Sequence, residues 1–169
     1  MKERKKQRRT GGTGADAPAL FREYMLDELR EVLWAERKLV KLFPKMEAGY
    51  KNSPFGKLLA EAKTVSAEHV AGICSEFDLL HEKRSAAKCE AIDALLKTIP
   101  TGELQAVTEQ NTGGPLIQLL KKANQYKIGA YHALVQLART LGLVEVAARN
   151  EHMLQQEKQL EVELAQVSA

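Results

Sequence analysis

LREVLWAERKLVKLF, residues 29–43, decides the fold. Apolar residues at Leu26, Leu29, Leu33, Val40 and Phe43 recur at intervals of three and four or their sum, the mark of one face of an α-helix. Glu36 falls on the same seam, between Leu33 and Val40. A carboxylate in a core stripe is costly unless a cation or a metal pairs with it. The remaining possibility is that Glu36 lies slightly off the seam. What the other helices carry decides among these readings.

Punctuation in the sequence divides the rest of the chain. The first helix is predicted over about Ala19–Gly49, with a kink or break near Phe43 where Pro44 interrupts the hydrogen-bond ladder. Asn52-Ser53-Pro54 predicts a new start, with Ser53 as N-cap and Pro54 at the first helical position. The second helix then runs to about His81, with Leu58, Ala62, Val65, His69, Ile73 and either Phe77 or Glu76 facing inward. Residues 82–88 read as a loop. Cys89–Ile99 reads as a short amphipathic helix stopped by Pro100, and Glu103–Gln110 as a further turn or two. Asn111–Pro115 breaks the chain again, and a third long helix follows over Pro115–Leu141, ended by Gly142 as C-cap. The last helix spans about Val144–Val167.

Four long amphipathic helices, two hairpins and a long middle connection predict an all-α, ferritin-like four-helix bundle with a short extra helix in the crossover between helices 2 and 3. Composition agrees. In 169 residues, 44% are hydrophobic, 28% charged and only 5% aromatic, and β-branched runs are missing. No apolar run approaches the roughly 18 residues that would suggest a membrane span.

The charge of +3 is unevenly placed. Lys2, Arg4, Lys5, Lys6, Arg8 and Arg9 oppose only Glu3, which leaves 19 Lys and Arg against 21 acidic residues elsewhere. Residues 1–18 therefore read as a disordered basic arm and 19–169 as the bundle. Such an arm can neutralise phosphates without sequence preference, but a basic body and interleaved aromatics are absent, so a solubilising tail is preferred to nucleic-acid binding through Lys2–Arg9. No apolar segment follows the basic start as a signal peptide would require, and Cys74 and Cys89 form no C-x-x-C pair. Two reduced thiols in a cytoplasmic protein are the expectation. Gly11–Gly14 lacks the following Lys-Ser/Thr of a phosphate loop.

Ferritin-like bundles can hold two metals near their centre, using a Glu from each of two helices and a Glu-x-x-His from each of the others. No Glu-x-x-His occurs in this chain. Asp78-x-x-His81 is close in form but lies at a helix end, and His132 and His152 read as surface or interhelix residues. The polar residues on inward stripes are Glu36, His69, Asn124 and Gln125, with Tyr126 and Tyr131 as further candidates on the same helix, and Glu157 and Glu161.

AERKL at 35–39, LFPKM at 42–46, KCEAIDALL at 88–96, IGAYHAL at 128–134 and EKQLEVEL at 157–164 resemble the YciE/YciF-type ferritin-like proteins, stress-associated bacterial bundles. The resemblance covers roughly Leu26 to Leu164. It implies a compact bundle that associates as a homodimer, and a dinuclear metal site where all the carboxylates are kept. Carried over by position, the resemblance implies metal ligands at Glu36, His69, Glu157 and Glu161. Two acidic positions of the family's Val-Glu-His-Tyr-Glu on helix 3 are here Asn124 and Lys127, and the glutamate position on helix 2 is Val65.

Three carboxylates and a neutral His suit one metal better than two. Should Lys127 point inward, its ammonium would pair with Glu36 or Glu157 and replace the metal charge; with neither cation, the carboxylates would have raised pKa values. The first reading is a non-catalytic, stress-associated bundle with a degenerate metal site and no cofactor. The alternative is a metalloprotein holding one Fe, Mn or Zn at the bundle centre, with peroxide or oxygen chemistry open to it. Nucleic-acid association through the arm stands third.

Overall fold

A computed structural model of the chain describes residues 16–50, 52–98 and 114–167. Five helices and no strand occur among them: α1 (Ala17–Glu47), α2 (Pro54–Leu79), α3 (Glu90–Lys97), α4 (Gly114–Thr140) and α5 (Val144–Gln166). Most of the basic arm, and the turns expected over Glu103–Gln110, lie outside the described residues. Helix α1 begins at Ala17, so Ala17 and Pro18 are helical; a proline is tolerated there because first-turn N–H groups have no intrahelical acceptor.

The punctuation acts as its chemistry requires. Ser53 caps α2 by accepting from Gly56 N–H at 3.0 Å, with Pro54 as the first helical residue. Gly142 takes a left-handed φ of 71° at the α4–α5 turn, a conformation glycine adopts without a Cβ clash. The break expected near Phe43 does not occur. Pro44 sits inside the last turn of α1, and the helix continues to Glu47. So close to the C-terminus, the lost N–H removes little of the ladder.

Two apolar clusters fix the topology. One gathers Leu39 and Phe43 of α1, Leu58 and Leu59 of α2, Leu120 of α4 and Leu164 of α5. The other gathers Leu29 of α1, Ile73 and Phe77 of α2, Leu134 of α4 and Leu154 of α5. The C-terminal half of α1 thus meets the N-terminal halves of α2 and α4 and the C-terminal end of α5. This makes α1 and α5 parallel, and α2 and α4 antiparallel to both. That up-down-down-up order is the ferritin-like arrangement. The crossover starts along α1, with Ala87 N–H donating to the Arg30 carbonyl at 3.0 Å, and α3 packs Ile92 and Leu96 into the first cluster.

Two inward positions differ from the sequence reading by one residue. Leu39 is buried where Val40 was expected, and Ser66 where Val65 was. Both expected residues are half-buried, flanking the seam rather than forming it. Among the described residues no helix is long and apolar enough to cross a membrane.

Candidate functional site

Between the two apolar clusters lies a polar layer to which each long helix contributes a charged side chain. Glu36 comes from α1, His69 from α2, Lys127 from α4 and Glu157 from α5, none more than 2% exposed. Each lies on its helix's apolar stripe: Glu36 is three residues after Leu33, His69 four before Ile73, Lys127 four before Tyr131 and Glu157 three after Leu154. Burial of these four follows from the packing of their apolar neighbours.

The layer converges on two carboxylate oxygens. Glu36 Oε1 accepts from Tyr131 O–H at 2.7 Å and from His69 Nδ1–H at 3.0 Å, and pairs with Lys127 Nζ at 3.1 Å. Glu157 Oε1 pairs with Lys127 Nζ at 2.7 Å and with His69 Nδ1 at 3.3 Å. On the other edge of the imidazole, Nε2 faces the side-chain oxygen of Gln156 at 3.0 Å. That oxygen accepts only, so with Nδ1–H directed at the carboxylates both ring nitrogens are donors and His69 is an imidazolium. Asn124 supports the layer from α4 by donating its amide to the Glu157 carbonyl at 2.9 Å.

Burial alone would push the Glu36 carboxyl upward. The Lys127 charge and the donors on His69 and Tyr131 outweigh it and hold the group down at about 2. Burial disfavours the His69 cation, and its contacts with Glu157 and Glu36 reverse this, lifting it to about 9. Lys127 is also raised, because its two carboxylate partners overcome desolvation. Burial beside the carboxylates pushes the Tyr131 phenol well above its ordinary value, so it stays a donor.

A ligand atom from each of Glu36, His69 and Glu157 lies within 4.8 Å of the others, a spacing that a single metal ion could bridge. Glu161 is not brought to them; its carboxylate accepts from Gln125 on the outer face of α4 and α5. Two divalent ions do not fit this donor set. Two carboxylates are already matched by an ammonium and an imidazolium, and Lys127 Nζ stands between Glu36 and Glu157. One edge of the layer is near solvent, where His69, Gln156, Met153 and Gly72 line a groove of about 440 Å³ between α2 and α5.

The family model described as a domain of unknown function, DUF892, matches residues 21–169. This chain belongs to the DUF892 family. Among solved structures it is similar to the Escherichia coli stress protein YciF, with a TM-score of 0.79 and 21% identity over 88% of this chain and 94% of that one. It is also similar to YcfI of Rhodopseudomonas palustris, with a TM-score of 0.75 and 22% identity over 86% of this chain and 92% of the other. No curated protein matches the sequence. The chain is thus a YciF-type DUF892 member, and the structural likenesses establish its ferritin-like fold.

Within this DUF892 bundle, sequence reasoning underestimated three positions. Tyr131 stood only among several polar candidates on its helix, though its place four residues after Lys127 puts it on the same face. Gln156, which receives the outer edge of His69, flanks Glu157 and left no signal of its own. Glu76 lies seven residues after His69, two helical turns along one stripe, and that spacing was the available signal.

Proposed function

We propose that this protein is a non-catalytic, stress-associated ferritin-like bundle, in which Lys127 and His69 supply the positive charge that metals supply in relatives with a full carboxylate set. The observation that carries the reading is the position of Lys127 Nζ, 2.7 Å from Glu157 and 3.1 Å from Glu36. An ammonium bound to both carboxylates, together with the His69 cation, balances their two negative charges in place, and a divalent ion would have to displace it. The stress association rests on similarity to the protein that carries that description in Escherichia coli. The homodimer rests on the YciE/YciF resemblance and is checked by sedimentation of the purified protein.

A second reading is favoured by the convergence of Glu36, His69 and Glu157. Here Lys127 withdraws, His69 loses a proton, and one Fe, Mn or Zn binds the three ligands. Glu161 would complete the set by leaving Gln125.

Elemental analysis of protein loaded with Fe(II) or Mn(II) and then gel-filtered separates the two readings. The charge-replacement reading expects substoichiometric metal. One equivalent that disappears in both Glu36→Ala and His69→Ala would overturn it in favour of the single-metal site.

A further inference from the structure

A second buried carboxyl group lies away from the charged layer. Glu76 of α2 and Asn150 of α5 meet seven residues from His69 and Glu157 respectively, about 10 Å along the bundle. Both are fully buried. Asn150 Nδ2 donates to Glu76 Oε2 at 2.8 Å and to the Val146 carbonyl at 2.9 Å, which commits both amide protons. Two oxygens remain without a donor, Glu76 Oε1 and Asn150 Oδ1.

An ionised carboxylate and an amide carbonyl are both acceptors, so nothing in that pair can satisfy either orphan. A proton on the carboxyl group supplies the donor that the pair lacks. On Glu76 Oε1 it would donate to Asn150 Oδ1 while the amide N–H donates to Oε2, closing a cyclic acid–amide pair. We propose that Glu76 is the neutral acid in the folded protein, and that its proton, shared with Asn150, latches α2 to α5 and is released when the pH rises.

The surroundings favour the neutral form. From α5 the charged neighbour is Arg149, whose guanidinium is engaged by Ser75 at 3.0 Å and Glu145 at 2.8 Å. From α4 the titratable neighbour is Tyr131, whose hydroxyl is given to Glu36. From α1 the surrounding cluster receives apolar side chains, Leu26, Leu29 and Leu33 among them. Burial lifts the carboxyl from 4.5 to about 7, against the lowering effects of the Asn150 hydrogen bond and the Arg149 charge.

The test is a carbon-detected NMR titration of the full chain, with the Glu76 carboxyl and the Asn150 side-chain amide assigned by through-bond correlation. The Glu76 resonance is expected to move with a midpoint near 7, and the Asn150 amide to move with it. Glu76→Gln keeps the shape and removes the titration, so its unfolding midpoint should vary less than wild type between about pH 5 and 7. A Glu76 midpoint near 4.5, or an Asn150 amide that does not follow Glu76, would overturn the proposal. So would a midpoint that shifts with sodium or potassium concentration, since a cation would then occupy the place assigned to the proton. The wild-type titration decides even if the variant does not fold.

Discussion

Glu36 and Glu76 are both fully buried between helices of one bundle, yet their carboxyl groups are driven in opposite directions, to about 2 and about 7. Both are closed off from solvent and burial pushes both upward, so the difference comes from their partners. Glu36 Oε1 meets two cations and a phenol O–H; Glu76 meets one neutral amide. A buried carboxylate stays ionised where charged donors converge on it, and takes up a proton where they do not. The bundle solves the same problem in two ways within about 10 Å.

The largest test of this contrast removes a cation. Lys127→Met leaves His69 as the one cation facing Glu36 and Glu157, and breaking a buried ion pair from one side costs about 3–5 kcal/mol. Urea unfolding at neutral pH should show that loss. A change under about 1 kcal/mol would mean that Lys127 contributes no more than a surface pair does.

Proton linkage gives the next test, since the three buried groups act in different windows. The raised His69 pKa contributes stability that is fully present below 6.5 and lost as pH rises through about 9. The lowered Glu36 pKa contributes stability present above 4.5 and lost as pH falls through about 2. The raised Glu76 pKa makes its share fullest below 4.5 and lost as pH rises through about 7. Their sum places the stability maximum on the acid side of neutrality. A thermal-unfolding profile that climbs between about pH 6 and 9 would contradict the assigned protonation states.

Tyr131→Phe removes one neutral donor from Glu36 and keeps the packing. It should cost about 1.5–3 kcal/mol, as expected for a hydrogen bond to a charged group, and raise the Glu36 pKa. The smallest effect serves as a control. Ser53→Ala removes the α2 cap far from either carboxyl group and should cost about 1 kcal/mol by the same amount at every pH.

Much of this was legible in the chain. The spacing from Leu26 to Phe43 identified the first helix and put Glu36 on its seam, and Ser53-Pro54 and Gly142 marked boundaries that the fold keeps. Lys127 was legible only conditionally. A lysine on an apolar stripe can run its stem along the core and carry its charge outward, and spacing does not distinguish that from an inward ammonium. Periodicity also did not separate adjacent candidates such as Leu39 from Val40 or Ser66 from Val65, because residues next to each other both lie near a broad helical stripe. Glu161 follows Glu157 by one turn, yet its carboxylate reaches Gln125 at the surface, a choice of side-chain direction that spacing does not encode. The Glu76–Asn150 pair depends on two helices meeting, and neither helix reveals it alone.

The central claim is that Lys127 holds the place of a metal ion. The most direct measurement is a calorimetric titration of Mn(II) and Zn(II) into wild type and Lys127→Met under conditions where both are folded. The claim predicts no stoichiometric uptake by wild type, and one bound ion, with a raised melting temperature, once the ammonium is gone. Tight binding of one ion by wild type, unchanged in Lys127→Met, would contradict it.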